Sequence, residues 1–311
     1  MITLEKLTKR YGEATVVNEV SLTVERNSIT VIVGTSGSGK STLLRMINRL
    51  VEPTSGLVLI GGSDTTREPA HLLRRRIGYA IQSHGLFPHR TVAENIAVVP
   101  RLLGWDVART QVRVRELLGI FQLDPATFAD KFPHQLSGGQ QQRVGVARAL
   151  AAEPEVLLMD EPFGALDPII RTKAQDDLLD IQHHFGTTIV LVTHDIDEAF
   201  RLGDRVAVMS EGRVLQYGRP AELLTQPSDP LVARMTGVAD RAMKLLSLTT
   251  AAEAAEPGES DGPEVSGSAS LREVLSELVW RGVSSASVVA ADGTRKGRIT
   301  MQGILSHGHP A

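Results

Sequence analysis

Gly34-Thr35-Ser36-Gly37-Ser38-Gly39-Lys40-Ser41-Thr42 follows the apolar run Ile29–Val33 and leads into the helical pattern Leu43–Leu50. A strand, a glycine-rich turn and a helix, with a lysine and a hydroxyl residue at the joint, make the Walker A pattern in the context it requires. The glycines let backbone N–H groups turn inward around the β- and γ-phosphate oxygens of ATP, and the helix adds the positive end of its dipole. Lys40 supplies a fixed cation, and the Ser41 hydroxyl is suited to ligate Mg²⁺. A loop that only turned the chain would need neither group. The stretch therefore sets the fold class as α/β with a phosphate-binding loop.

Outward from this loop, short apolar strands alternate with longer helical patterns up to about Leu248, which argues a largely parallel core sheet. Candidate buried strands are Ser28–Val33, Ile77–Gln82, Val156–Asp160 and Thr187–Thr193. A helix-rich insert, Thr91 to Ala152, separates the second from the third. Val206–Ser210 and Arg213–Gln216 flank Glu211-Gly212, a hairpin signal.

Composition narrows the partners. Of 311 residues 42% are apolar, ample for a core, and 33 basic against 36 acidic residues leave a net charge of −3. That gives no global argument for nucleic-acid binding. There are no cysteines, which removes disulfides, thiolate catalysis and Cys-type zinc sites and fits a reducing compartment. The first residues enter a strand pattern without a signal-peptide layout. A spanning helix needs about 20 apolar residues, and the longest runs, Ile29–Val33 and Thr188–Val192, are strand-length. Any membrane connection is expected to be made by docking.

A second chemical feature is Val156-Leu157-Leu158-Met159-Asp160-Glu161, four apolar residues ending in two carboxylates, the Walker B pattern. Asp160 is placed to hold Mg²⁺ and Glu161 to polarise the attacking water. An Asp here can also cap the turn that Pro162 favours, and the presence of the phosphate loop decides for the metal. Leu136-Ser137-Gly138-Gly139-Gln140, before the helical Gln141–Ala152, then supplies a second helix N-terminus able to meet an anion. One phosphate site is already complete, so a second implies that ATP is clasped between two subunits.

With Leu136–Gln140 the chain is identified as a member of the ABC-transporter ATPase family, which it resembles over residues 1–250. The resemblance implies a P-loop NTPase core of ABC type with an antiparallel β subdomain and a helical subdomain, working as a head-to-tail dimer. ATP and Mg²⁺ are the implied cofactors, with Gly34–Thr42, Ser137, Gly138, Gly139 and Gln140 at the nucleotide and Ser41, Gln82 and Asp160 at the metal. It further implies adenine stacking for Tyr11, where plain edge packing is the alternative. Gln82 falls at the Q-loop position and Ala165-Leu166-Asp167 at the D-loop, with Gly164 where many relatives have Ser. His194 becomes the switch histidine at the γ-phosphate. His183 and His184 belong to a helix surface and His307 and His309 to a tail. The implied catalytic set is Glu161, His194, Lys40 and Gln82.

Gly85-Leu86-Phe87-Pro88-His89-Arg90-Thr91-Val92-Ala93-Glu94-Asn95-Ile96 resembles the segment where a permease docks, so Gln82–Ile96 is the expected contact with transmembrane subunits. Leu86 and Phe87 form its apolar socket if exposed; the alternative is that both are core. Met46–Leu50, Arg75–Ser83, Asn95–Pro100 with Gly104-Trp105, Gln135–Ala152 and Asp160–Pro168 resemble the importers of osmoprotectants such as glycine betaine, choline and carnitine. That branch implies a solute-binding protein in the same system and a peripheral place on the cytoplasmic side of the membrane. The alternatives are a polar amino-acid importer and a soluble ABC ATPase outside transport, whose members usually carry two cores or a coiled-coil insert.

Past the core, residues 251–269 are Ala/Gly/Ser/Pro-rich with five carboxylates and no basic or aromatic residue, the composition of a flexible acidic linker. From Ser270 helical spacing returns at Leu271, Val274, Leu275, Leu278 and Val279, and Ser287–Ala291 and Gly297–Met301 flank an Asp292-Gly293 turn. Residues 270–311 resemble a single CBS-like repeat, regulatory or degenerate.

Overall fold

The computed structural model describes residues 1–81, 85–164, 166–237 and 239–309. It divides into two compact units, one of residues 1–195 and 202–217, the other of 196–201 and 218–309.

In the first unit, β1 (Ile2–Tyr11), β2 (Ala14–Val24), β4 (Ser55–Ile60) and β5 (Ser63–Asp64) form an antiparallel sheet in the order β2-β1-β4-β5. β3 (Ile29–Gly34), β6 (Ile77–Ala80), β7 (Val156–Asp160), β8 (Thr188–Thr193), β9 (Arg205–Ser210) and β10 (Arg213–Gly218) form the central sheet, in the order β10-β9-β3-β8-β7-β6. β6, β7, β8, β3 and β9 run parallel. Every residue of β3, β7 and β8 is buried, which is why these strands read as unbroken apolar runs rather than alternating ones. The β9–β10 turn uses Glu211 at φ 48° and Gly212 at φ 76°, the two left-handed residues that a twisted hairpin demands.

α1 (Lys40–Ile47) buries Leu43, Leu44, Met46 and Ile47. These pack with Ile2, Leu4 and Leu7 of β1 and with Ile32, Leu158 and Val192 of the central sheet in one apolar cluster. α2 (Ala70–Arg76) feeds β6. The insert before β7 is helical throughout, as α3 (Val92–Ile96), α4 (Val98–Leu102), α5 (Val107–Ile120), α6 (Pro125–Phe128) and α7 (Gly138–Leu150), and α8 (Pro168–Phe185) follows β7. An α/β core with an antiparallel sheet and a helical insert matches the expected class.

The second unit starts with α9 (Ile196–Leu202), α10 (Pro220–Thr225), α11 (Pro230–Thr236) and α12 (Arg241–Leu246). Then come α13 (Ala251–Ala254), β11 (Glu264–Ser266), α14 (Leu271–Arg281), β12 (Ser285–Val289), β13 (Arg295–Thr300) and α15 (Met301–His307). β11 pairs parallel with β12, and β12 antiparallel with β13. Leu246, Ala251, Val265, Leu271, Val274, Leu278, Val288, Ile299 and Ile304 share a core.

The flexible linker expected at 251–269 is therefore corrected: this segment is part of the folded unit. Its order comes from backbone bonds and close approach, not apolar bulk. Ala251 and Ala252 N–H groups donate to the carbonyls of Ala269 (2.8 Å) and Gly267 (2.9 Å), and Glu256 and Arg298 exchange two bonds of 2.8 Å. A Cβ on Gly262 would lie 1.8 Å from the Ser285 carbonyl oxygen, so the glycine is what lets the two backbones meet. Two of the carboxylates are also engaged, Glu253 by Thr250 and Glu264 by Arg295.

Candidate nucleotide site

The phosphate loop spans the end of β3 and the start of α1. Gly39 holds φ at 97°, and a Cβ there would sit 2.4 Å from the Val16 carbonyl oxygen, a conformation and a space that only glycine accepts. As the residue before the helix it offers no side-chain cap. The first N–H groups of α1 thus remain available to a ligand. Ser38 is buried, and its Oγ has no hydrogen-bond partner among the described residues, a polar atom that a phosphate oxygen would satisfy.

Lys40 is buried, and its Nζ donates to the carbonyls of Gly34 (2.8 Å) and Thr35 (2.9 Å). Burial lowers the pKa of its ammonium, while the carboxylates of Glu161 and Asp160 oppose that shift. The Ser41 hydroxyl donates to Asp160 Oδ1 at 2.8 Å, and Arg45 Nη2 lies 3.3 Å from Oδ2. A hydroxyl and a carboxylate oxygen meeting beside a phosphate loop suit Mg²⁺, which takes one or two protein oxygens and completes its shell with water and phosphate. Arg45 went unnoticed in the sequence, although it stands one turn beyond Ser41 on the same face of α1.

Glu161 follows the end of β7, with its N–H bonded to the Val192 carbonyl (2.9 Å) and a φ of 46°. A non-glycine residue in the left-handed region costs roughly 1 kcal/mol. That aim brings Glu161 Oε2 to 3.4 Å from His194 Nδ1, at the end of the neighbouring β8. Lys40, Ser41, Asp160, Glu161 and His194 are thus gathered along the carboxyl ends of three adjacent strands. A carboxylate next to an exposed imidazole can activate water, and an adjacent cation can neutralise phosphate charge.

Tyr11 is 52% exposed at the end of β1, with Lys9 Nζ over its ring, 4.9 Å from the centroid. Gln82 lies outside the described residues, as does Ala165 of the D-loop. Asp167 caps α8, accepting from the N–H groups of Ile169 (3.2 Å) and Ile170 (3.1 Å). Ser137 and Gln140 form a capping box at the start of α7: Gln140 N–H donates to Ser137 Oγ (3.3 Å), and Ser137 N–H to Gln140 Oε1 (2.9 Å). α7 packs on β6, the strand three places from β3, or roughly 14 Å at the usual strand spacing. The signature helix and the phosphate loop are therefore laid out on different parts of one sheet.

In the expected docking segment Phe87 is 39% exposed and Leu86 half-buried. Buried Asn95 fixes their loop, accepting from Phe87 N–H (2.8 Å) and donating to the carbonyls of Phe87, Arg90 and Thr91. Among the described residues no helix is long and apolar enough to cross a membrane.

The ABC transporter family model matches residues 17–164. The chain is 47% identical over 306 residues to the glycine betaine uptake system ATP-binding protein YehX of Escherichia coli strain K12, covering 98% of this chain and 99% of that one. It is 50% identical over 258 residues to the osmoprotectant import ATP-binding protein OsmV of Salmonella typhimurium, covering 81% and 67%. Among solved structures, the ATP-binding cassette MJ0796 in a dimeric post-hydrolysis state bound to ADP and Pi superposes with a TM-score of 0.63 at 35% identity, covering 71% of this chain and 99% of that one. With the phosphate loop, the paired carboxylates and a full-length match all agreeing, the chain belongs to the ABC-transporter ATP-binding proteins, the ATPase subunits that energise transport.

Proposed function

We propose that this ATPase drives import of a quaternary amine of the glycine betaine, choline and carnitine class through a separate membrane permease fed by a solute-binding protein. The observation that carries the reading is the match to the E. coli glycine betaine uptake protein, which runs almost end to end and so includes the carboxyl-terminal unit. Two copies meet head to tail, so that Ser137–Gln140 of one complete the Lys40 site of the other; the lateral offset of α7 from β3 supports this arrangement. A cassette dimer is also the state of the MJ0796 structure.

In this reading Lys40, the loop N–H groups and Ser38 bind the β- and γ-phosphates, and Tyr11 stacks on adenine. Ser41 and Asp160 would hold Mg²⁺, which would supply charge neutralisation at the phosphates. Glu161 takes the proton of the attacking water, and His194 orients Glu161 and contacts the γ-phosphate. The loop fixed by Asn95 docks on the permease, and the ATPase works peripherally on the cytoplasmic side of the membrane. The carboxyl-terminal unit serves as a CBS-like regulatory attachment, a reading that the element order β11-α14-β12-β13-α15 supports.

The test is uptake of labelled glycine betaine, choline, carnitine and polar amino acids by cells with and without the gene. Loss of quaternary-amine uptake, restored by the wild-type gene and not by Glu161→Gln, is the expected result. Loss of amino-acid uptake alone overturns the solute class.

A further inference from the structure

At the end of the central sheet away from Asp160, an open cleft of about 190 Å³ lies between α2 and the loop that joins α7 to β7, room for a ligand of only a few heavy atoms. Ile60, Leu73, Leu103 and Val156 form apolar walls, and charges enter from two sides. Arg75 and Arg76 come from α2, and Glu153 and Glu155 from the loop. Arg76 is bonded to Glu68, and Glu153 lies 3.4 Å from Arg109. Glu155 has Arg26 only at 3.8 Å with both side chains exposed, a contact worth little. The half-buried Arg75 has no side-chain hydrogen bond or ion pair among the described residues.

We propose that this cleft is a second small-molecule site that takes a small zwitterion, its carboxylate on Arg75, its cationic end toward Glu155 and its carbon body against Leu73, Leu103 and Val156. A plain anion would meet the two glutamates and a plain cation the two arginines; only a ligand carrying both charges at opposite ends is matched on each side. Betaines and amino acids have that chemistry. The choice of glycine betaine as probe rests on the importer reading, whereas the ligand class follows from the cleft itself. The loop at the cleft runs from Leu150, the last residue of the signature helix, to Val156, the first of the strand that ends in Asp160. Occupancy is thereby coupled to ATP binding.

The experiment follows the unfolding midpoint of the purified full chain against glycine betaine, proline, choline and acetate, all below about 10 mM so that solute exclusion contributes little. Glycine betaine raises the midpoint saturably by about 3 °C at ten times its Kd, and choline and acetate do not. Arg75→Gln leaves the unliganded midpoint unchanged and weakens glycine betaine by about tenfold or more. ATP and glycine betaine change each other's affinity by the same factor, about fivefold. The proposal is overturned if neither glycine betaine nor proline saturates, if acetate or choline matches them, or if Arg75→Gln binds like wild type. Equal betaine affinity with and without ATP removes the coupling. None of these outcomes touches the uptake result above, so the two readings fail separately.

Discussion

The phosphate loop and the segment 251–309 use their polar groups in opposite ways. At the loop, α1 starts without a side-chain cap, Ser38 Oγ is buried without a partner among the described residues, and Glu161 is held at a left-handed φ. In 251–309 each of the three helices opens on a capping side chain, from Thr250, Ser270 and Thr300. Its short strands are paired and its glycines let backbones touch. One region leaves donors open for a ligand; the other satisfies them internally. Substitutions in the first should therefore cost chemistry with little stability, and in the second stability with little chemistry.

The strongest attempt to break that contrast is Glu161→Gln. A positioned general base contributes about 10²–10⁴-fold, so phosphate release should fall by that factor while ATP stays bound and the closed dimer accumulates. Filter-bound nucleotide and single-turnover rates check it. Near-normal turnover would remove Glu161 from its role. In the other region, Gly262→Val drives a side chain into the Ser285 carbonyl and should destabilise the unit by about 3 kcal/mol. Hydrogen exchange across 251–309 measures this, with ATP affinity expected within about twofold of wild type. A joint collapse of ATP binding would end the separation.

Sequence and structure agree most where chemistry needs fixed spacing. Gly34–Thr42, Asp160–Glu161 and Leu136–Gln140 were legible because each motif depends on side chains a set number of residues apart. Arg45 was harder, since its partner Asp160 is 115 residues away and only the fold joins them. The segment 251–269 was misread for a related reason. Composition reports apolar burial, yet Ala252, Glu256 and Gly262 are ordered by backbone contacts to Gly267, Arg298 and Ser285, residues that come later in the chain. The helical subdomain was located by its lack of strand character, while the pinning of Phe87 by Asn95 needed coordinates.

Ser38→Ala sharpens the contrast at smaller scale. Its hydroxyl is buried with no partner among the described residues, so removal should leave the midpoint without nucleotide unchanged or raise it slightly, since no bond there is lost and less polar surface is buried. ATP affinity should nonetheless fall about tenfold, the worth of one hydrogen bond to a charged phosphate. A fall in stability with unchanged affinity would reverse the assignment and make Ser38 structural.

Glu253→Ala is the smallest effect, and it carries a pH signature. Glu253 Oε2 accepts from the Thr250 N–H and from Thr250 Oγ, both at 2.8 Å, in the capping box of α13. Those bonds, the backbone one foremost, hold the carboxyl pKa below its usual value. The ionised carboxylate is thus the form that stabilises the fold, so its contribution is complete above the unfolded pKa and disappears as pH falls through the lower, folded one. Loss of the box should cost about 0.5–1 kcal/mol at neutral pH, read from exchange of the amides of 250–254. The gap between wild type and Glu253→Ala should then close on acidification below the glutamate range. If it persisted there, the Thr250 contacts would not depend on the carboxylate charge, and this turn would owe its order to the bonds from Ala251 and Ala252 to Ala269 and Gly267 alone.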